Sequence, residues 1–430
     1  MLLHGIFPPI TTPFYPDGRV YLKKLEHNVE RYSKTPIAGI VVLGSTGEAI
    51  MLSDDERREV LKTAREACAP HKVLIAGTGA ESARETLRLT EYAAELGYHA
   101  ALVRTPFFYR PQLKPENILA FYRTVADHSP IPVLVYSVPV FTGYDIPPEL
   151  VIELANHPNI IGIKESGGDV EKIRRMVEGT RTIKRSATVT ETFAAVTPRM
   201  LKSAKLESHI ESGGLVTVAS LSGEKNISHL GEASHVGTIG HMEKISHVGK
   251  TSHGENMSQV EKIGHVGTGA LACPAEQGSA THPSPQPLDT ERRASRPSSP
   301  SASSSISIIG GLKTRQKEVG FQVLAGIAQK FHPALDAGAV GGVLAFACPA
   351  PTACYEIYAA WKEGDAGLAR VKQERISASA TRVTSELGIP GLKYALDLNG
   401  YYGGEPRLPL LPLTSDLKAE VEKLMADMRN

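Results

Sequence analysis

Short apolar runs alternate with amphipathic segments along most of the chain. Runs rich in Val, Ile and Leu are typical of strands buried on both faces, whereas apolar positions three and four residues apart predict helices. The pattern predicts strands near residues 5–12, 39–44, 72–78, 100–105, 132–137, 160–165, 321–326 and 341–346. Strands that alternate with helices in this way predict an α/β fold, a (β/α)₈ TIM barrel, whose functional side chains lie at the carboxyl ends of the strands.

Helix-start signals support this phasing. Ser53 and Ser82 each precede a glutamate by three residues, which is the capping-box spacing, and Pro115 suits the first turn of a helix. Residues 351–430 are predicted to form the last barrel helix and a set of C-terminal helices. The proline-rich stretch from Pro406 to Pro412 interrupts them.

Residues 182–317 break the pattern. Within them, Ser228 to Gly269 spell seven hexads, SHLGEA, SHVGTI, GHMEKI, SHVGKT, SHGENM, SQVEKI and GHVGTG, and a Ser/Pro-rich stretch follows. Hexads also build β-helices, but seven hexads supply little more than two coils where about three repeats are usually needed. Low complexity therefore favours a disordered insertion. A transition-metal site is the other alternative, and its histidines are His229, His235, His241, His247, His253 and His265, although a six-residue period aligns poorly with one helix face.

These boundaries divide the chain into four parts. Residues 1–181 carry strands one to six, and residues 318–350 carry strands seven and eight. The low-complexity insertion, 182–317, connects the sixth barrel helix to the seventh strand, and the helical region 351–430 follows the barrel. Helix-to-strand connections lie at the amino-terminal face of a barrel, opposite the active face, so we expect the insertion to be dispensable for catalysis.

Composition narrows the class of ligand. The chain has 430 residues, is 41% hydrophobic and carries a net charge of +1 with no long basic run, which argues against nucleic acid or an anionic membrane as a partner and favours a small molecule. The cysteines lack both a paired framework and metal-ligand spacing, as is typical of a reducing compartment. No signal-like start and no stretch of about 18 apolar residues occur, so we expect a cytoplasmic protein without a membrane span.

Three predicted strand ends carry candidate catalytic side chains. Lys164 ends an apolar run, where lost hydration disfavours the ammonium and leaves an amine able to form an imine with a ketone. Tyr136 ends the preceding run, so its phenol is expected at the same rim, where it could relay protons. Ser45 and Thr46 lie in a glycine-flanked turn whose hydroxyl and N–H groups could hold a carboxylate, although an ordinary glycine-rich turn is the alternative.

Taken together, these segments resemble the family of dihydrodipicolinate synthase, N-acetylneuraminate lyase and 4-hydroxy-2-oxoglutarate aldolase. The resemblance covers residues 1–181 and 318–430. The motifs that carry it are Gly5–Phe14, Gly39–Glu48, Val133–Gly143, His157–Asp169, Gly388–Lys393 and Tyr401–Gly404. It implies a Schiff-base enzyme without a metal or other cofactor, acting on a 2-oxo acid as a homodimer or homotetramer.

The resemblance also implies roles for particular residues. Lys164 would form an imine with pyruvate or a longer 2-oxo acid, and Tyr136 would shuttle protons. Thr46, with its backbone N–H, would hold the substrate carboxylate, while Ser45 would pass a proton from Tyr136. Gly326 matches a glycine whose backbone carbonyl faces the substrate at the end of strand seven.

The chain departs from the family pattern at three positions. Phe108 stands where members commonly have a tyrosine that extends the proton relay across a dimer interface, and Tyr109 could replace it. Phe141 stands where the lysine-biosynthesis branch has an arginine that grips the aldehyde's carboxylate, which a phenyl ring cannot do. Ile327 follows Gly326 where the 4-hydroxy-2-oxoglutarate aldolase usually has a polar residue.

These observations favour a lyase that cleaves or forms a carbon–carbon bond in a 2-oxo acid, with pyruvate as product or donor. The expected substrate resembles 4-hydroxy-2-oxoglutarate or a 2-oxo-3-deoxy sugar acid. One alternative is 4-hydroxy-tetrahydrodipicolinate synthase, which condenses pyruvate with aspartate semialdehyde. An alternative of another class is a weakened barrel whose histidine-rich insertion binds metal or a partner.

Overall fold

Parallel strands form the central sheet of the protein, for which a computed structural model describes residues 2–190 and 314–428. In this part of the chain the sheet has eight strands. The barrel strands are β1 (Gly5–Ile6), β2 (Gly39–Val42), β3 (Val73–Gly77), β4 (Ala100–Arg104), β5 (Val133–Ser137), β6 (Ile160–Glu165), β9 (Gln322–Ala325) and β10 (Gly341–Gly342), and a separate ladder consists of β7 (Arg185–Thr190) and β8 (Thr314–Val319).

The sheet closes on itself. The strand order is β1-β10-β9-β6-β5-β4-β3-β2, and every neighbouring pair is parallel. The two ends meet because the Ala38 N–H donates to the Ile6 carbonyl at 2.9 Å and the Ile10 N–H donates to the Val41 carbonyl at 2.9 Å. The predicted (β/α)₈ barrel is confirmed. The first and last barrel strands along the chain, β1 and β10, are shorter than predicted and contain two residues each.

Helices surround the barrel. The described helices are α1 (Leu22–Ser33), α2 (Asp54–Ala67), α3 (Ala83–Glu95), α4 (Pro115–His128), α5 (Pro139–Thr142), α6 (Pro148–Leu154), α7 (Val170–Thr180), α8 (Phe331–Asp336), α9 (Pro351–Lys362), α10 (Ala366–Ala380), α11 (Gly388–Leu398) and α12 (Ser415–Met425). Ser53 makes both bonds of a capping box with Glu56, as predicted. Ser82 accepts only from the Glu85 N–H, and Pro115 occupies the first turn of α4.

The core has two layers. Side chains inside the barrel form a smaller apolar cluster that includes Phe7, Val41, Leu134 and Leu324. A larger cluster fills the space between the strands and the helices. The strands therefore read as continuous apolar runs because both of their faces are buried.

The ends of the predicted insertion are ordered, which differs from the interpretation of 182–317 as a disordered segment. Arg185 to Thr190 pair antiparallel with Thr314 to Val319. The Arg185 guanidinium donates to the His157 carbonyl at 2.9 Å, just before β6 begins. The ladder thus lies at the amino-terminal face of the barrel. The hexads of Ser228–Gly269 and their histidines lie outside the described residues.

The described ranges contain neither a candidate membrane span nor a candidate metal site. No helix of residues 2–190 and 314–428 is both long and apolar enough to cross a membrane. In the same ranges, His, Cys, Asp and Glu side chains do not gather in threes in a way that could hold a metal ion. Cys68, Cys348 and Cys354 are buried free thiols.

Candidate active site

Lys164 and Tyr136 lie side by side at the carboxyl ends of neighbouring strands. The parallel register of β5 and β6 pairs Tyr136 directly with Lys164. Both residues are buried: Tyr136 exposes 5% of its surface and Lys164 exposes 4%. The Lys164 Nζ lies 4.1 Å from the centre of the Tyr136 ring, and in the described part of the chain no carboxylate forms an ion pair with it. The amine and the phenol can therefore act on one small substrate.

The turn after β2 adds two hydroxyl groups to the same place. Ser45, Thr46 and Gly47 form a short 3₁₀ turn. The Ser45 Oγ and the Tyr136 hydroxyl oxygen are 3.4 Å apart, a long hydrogen bond in which either group can donate. Thr46 is buried next to it. A proton can pass between Tyr136 and Ser45, and the first N–H groups of the turn are available to an anion.

A cavity of about 870 Å³ opens above these residues. Its wall includes all of the sequence-predicted residues at strand ends, namely Ser45, Thr46, Tyr136, Lys164 and Gly326, together with Phe141 and Ile327. Phe108 and Tyr109 are not part of this wall. They are exposed and stack edge to face on each other, with ring centres 5.1 Å apart. One chain therefore gathers the residues of the predicted imine site, and the replacement of the relay tyrosine by Tyr109 across a dimer interface stays a prediction.

Gly326 makes a close approach to the segment that follows Lys164. Its N–H donates to the Glu165 carbonyl at 2.7 Å. A Cβ at this position would lie 2.7 Å from the Glu165 carbonyl oxygen and 2.8 Å from the Ser166 Cα, so any larger residue would force the backbone to shift. The Ser166 Oγ is buried in the cavity wall and, within the described residues, has no hydrogen-bond partner. Sequence analysis missed Ser166, although its position two residues after the candidate lysine was the available signal.

Behind Lys164, a buried ion pair fixes the end of β6. The Glu165 side chain accepts from the Gly167 N–H at 2.6 Å and lies 3.0 Å from the Lys172 Nζ. Lys172 also pairs with Asp145. Burial raises the pKa of the Glu165 carboxyl, and the Lys172 ammonium opposes that rise. The pair connects the turn after Lys164 to α7, and it holds the lysine's backbone in place.

A second carboxylate shapes the loop after β4. Glu81 accepts from the N–H groups of Phe107 at 3.0 Å and Phe108 at 2.9 Å, and it pairs with Arg104 at 2.8 Å. Burial alone would raise the pKa of Glu81, but these donors outweigh burial and lower it. The loop turns Phe107 into the cavity wall and leaves Phe108 at 72% exposure.

Comparison with known sequences identifies the family. A family model described as the dihydrodipicolinate synthetase family matches residues 2–201 and 305–428. The chain belongs to this family. Its members are lyases that form or cleave carbon–carbon bonds. Residues 202–304 fall outside the match, so this family member carries its extra segment between two matched halves.

Relatives of this dihydrodipicolinate synthetase family member match about two fifths of its length. It is 39% identical to a 4-hydroxy-tetrahydrodipicolinate synthase of Methanoculleus marisnigri over 182 residues, or 42% of this chain and 62% of the relative. It is 41% identical to the enzyme of that name from Xanthomonas campestris over 177 residues, or 41% of this chain and 58% of the relative. The chain thus spans about three fifths of the length of the relatives it matches.

Solved structures share the fold of this family member. Dihydrodipicolinate synthase from Bacillus anthracis superposes with a TM-score of 0.64 at 18% identity, covering 100% of both chains. The chloride-inhibited enzyme from Acinetobacter baumannii, complexed with pyruvate, superposes with a TM-score of 0.63 at 21% identity, covering 99% of both chains. At these identities the likeness concerns the barrel and its C-terminal helices.

Proposed function

We propose that this chain is a class I aldolase that binds pyruvate, or another 2-oxo acid, as an imine of Lys164. The observation that carries the proposal is the contact of three groups on the cavity wall: the Lys164 amine lies 4.1 Å from the Tyr136 ring centre, and the Tyr136 hydroxyl lies 3.4 Å from Ser45. Family membership supports the same chemistry.

The proposed reaction begins with attack of the neutral Lys164 amine on the C2 carbon of the 2-oxo acid. Tyr136 protonates the carbinolamine oxygen, water leaves and the iminium forms. The iminium withdraws electrons from the C3–H bond, so loss of that proton gives an enamine, which attacks an aldehyde. In the cleavage direction, C–C scission releases an aldehyde and leaves the same enamine. Protonation of the enamine at C3 regenerates the iminium, and water hydrolyses it to the 2-oxo acid and the free Lys164 amine.

Most of the remaining residues bind the substrate in this proposal, and Ser45 relays protons. Thr46 and the N–H groups of its turn hold the 2-oxo acid carboxylate at the end of a short helical turn. The Gly326 carbonyl and the unpartnered Ser166 hydroxyl offer polar contacts to substrate oxygens on the opposite side of Lys164. Ser45 passes protons between Tyr136 and the reacting oxygen.

Two reactions of the proposed enamine, condensation and cleavage, are supported by different observations. The names of the relatives at 39% and 41% identity support condensation with aspartate semialdehyde, the reaction of 4-hydroxy-tetrahydrodipicolinate synthase. Phe141 supports the second candidate, cleavage of a 2-oxo acid such as 4-hydroxy-2-oxoglutarate or a 2-oxo-3-deoxy sugar acid. Its ring lines the cavity at 66% exposure and offers no charge to a second carboxylate.

Imine trapping tests the shared chemistry. Pyruvate with borohydride should add a reduced pyruvyl group to the peptide that contains Lys164, detected by mass spectrometry, and Lys164→Ala should abolish it. The control is Lys72→Met, which removes a buried ammonium that donates to the Thr35 and Ile37 carbonyls outside the cavity wall and should keep the label on Lys164. Labelling that persists in Lys164→Ala would contradict the assignment.

A substrate panel tests the choice of partner. Release of pyruvate from hydroxylated and deoxy-sugar 2-oxo acids, coupled to lactate dehydrogenase, measures cleavage, and consumption of pyruvate with aspartate semialdehyde measures condensation. Turnover of the semialdehyde with no cleavage of any panel member would favour the synthase, and the opposite pattern would favour the lyase.

A further inference from the structure

Two motifs of the tail lie outside the barrel strands that carry the proposed chemistry. The segments Gly388–Lys393 and Tyr401–Gly404 belong to α11 and to the loop that follows it. Lys393 is a fully buried lysine, with 0% of its surface exposed, on the same helix that brings Gly388 and Pro390 to the cavity wall. A buried ammonium on a helix outside the barrel needs a partner.

The partner of Lys393 is Glu48, the last residue of the GSTGE segment. The Lys393 Nζ lies 2.6 Å from the Glu48 Oε1, and both side chains are at most 1% exposed. Burial lowers the pKa of Lys393, while the Glu48 carboxylate opposes that change. Removing one member of such a pair leaves an unpaired charge in the core, so the two groups depend on each other.

Glu48 holds the turn that contains Ser45 and Thr46. Its N–H donates to the Ser45 carbonyl at 3.1 Å, and its backbone has a φ of +54°, a left-handed conformation that is unfavourable for a residue with a side chain. On the other side, the Thr12 hydroxyl donates to the Gly47 carbonyl at 2.6 Å. The last residue of the turn and the residue that follows it are thus both tied to other parts of the chain.

The second tail motif completes the anchor. A Cβ on Gly403 would lie 1.8 Å from the Lys393 carbonyl oxygen, so only glycine lets this loop pass so close to α11. Beyond it, the Glu405 carbonyl accepts from the Lys393 Nζ at 2.9 Å, and the Arg407 N–H donates to the Glu48 Oε2 at 2.8 Å. Both carboxylate oxygens of Glu48 are therefore held by the C-terminal region.

We propose that Glu48 and Lys393 are positioning residues that set the Ser45–Thr46 turn for binding of the 2-oxo acid carboxylate. The C-terminal helices then contribute to substrate binding through this ion pair as well as to stability. The inference rests on the proposed function, since it takes the turn to be the carboxylate site. It assigns a purpose to both tail motifs, because one carries Lys393 and the other admits the loop that holds it.

The test compares a ketone that has a carboxylate with one that has none. Labelling of Lys164 by borohydride is measured over a range of pyruvate concentrations and, in parallel, of acetone concentrations. Lys393→Met and the double variant Glu48→Gln with Lys393→Met should raise the half-saturating pyruvate concentration by about tenfold or more, the usual scale for a misplaced charge-assisted contact. Their labelling by acetone should stay within about twofold of the unmodified protein.

Controls separate this role from simple loss of stability. Arg382 is a cation of the same helical region, and its Nε pairs with the Glu420 Oε1 at 2.7 Å. Arg382→Met should leave the half-saturating concentrations of both ketones unchanged. The double variant leaves no unpaired buried charge, so it decides the matter if the single variant does not fold. Wild-type pyruvate saturation in a folded double variant, or an equal loss with acetone, would overturn the proposal. Absence of pyruvate labelling in the unmodified protein would instead contradict the proposed function.

Discussion

The turn after β2 and the rim beside α5 border the same cavity but are held in opposite ways. Thr46 and Glu48 are buried, and hydrogen bonds and an ion pair connect their turn to two distant parts of the chain. Val140 and Phe141, in contrast, are apolar and expose 78% and 66% of their surfaces. The difference separates two tasks. The part proposed to bind the common 2-oxo acid is held by buried contacts, and the part proposed to meet the variable partner is largely exposed.

The largest effect is expected from removing the hydroxyl group that faces the turn after β2. Tyr136→Phe keeps the ring beside Lys164 but removes the hydroxyl that reaches Ser45, so turnover should fall by about 10²–10⁴, the usual contribution of a positioned proton donor. Steady-state rates with the best panel substrate measure it. An unchanged rate would mean that another group moves the proton.

The matched control for this change is Tyr122→Phe. The Tyr122 hydroxyl is also buried and donates to the Val103 carbonyl at 2.9 Å, but it lies outside the cavity wall. Its removal should cost about 1–3 kcal/mol of the free energy of unfolding, because a buried carbonyl loses its donor. Turnover should stay the same, so the pair of variants separates chemistry from stability.

A change to the open side should alter selectivity without stopping the chemistry. Phe141→Arg introduces a guanidinium that can pair with the second carboxylate of aspartate semialdehyde, so kcat/KM for that aldehyde should rise by about tenfold, or roughly 1.4 kcal/mol. Imine labelling by pyruvate alone should not change. Val140→Arg, one residue earlier and also exposed, is the control for added charge. A similar gain in both variants would indicate general electrostatic attraction instead of a defined contact.

The smallest effect is expected from shortening the predicted insertion. Thr190 and Thr314 are paired across the β7–β8 ladder, so an Asn-Gly turn can replace residues 191–313 without moving either strand. The kcat and KM of the shortened protein should stay within about twofold of the full chain. Loss of activity in a folded, assembled variant would give this segment a role in catalysis. A shorter joint, from Arg181 to Glu318, removes the ladder too, and the difference in melting temperature measures its contribution.

The barrel could be predicted from the sequence because its signals are local. Strands such as Val133–Ser137 are apolar runs, and Ser53 with Glu56 forms a cap three residues apart. The neighbouring positions of Lys164 and Tyr136 follow from the same regularity, since parallel strands that succeed each other in a barrel end at one rim. Their catalytic roles remain predictions.

The parts that escaped prediction depend on distant pairs. Glu48 and Lys393 are far apart in the chain, and no pattern in a single sequence indicates that they form an ion pair. The pairing of Arg185–Thr190 with Thr314–Val319 could not be predicted for the same reason, because the low-complexity segment separates the two strands in the chain. The loop after β4 is a further case, since Glu81 accepts from the Phe107 and Phe108 N–H groups and only Phe107 lines the cavity of its own chain. The relay role of Tyr109 across a dimer interface stays a prediction.

The strand order has a consequence for how the chain is made. β6, which carries Lys164, takes β9 as its neighbour, and β1 takes β10. At about 5–20 residues per second, a ribosome needs roughly 8 to 30 s to add residues 166–321, and during that interval the backbone groups along one side of β6 have no partner. Unpaired strand edges favour association with other chains. The long middle segment therefore delays the pairing of β6 in the nascent chain, and the ring cannot close before β10 has been made.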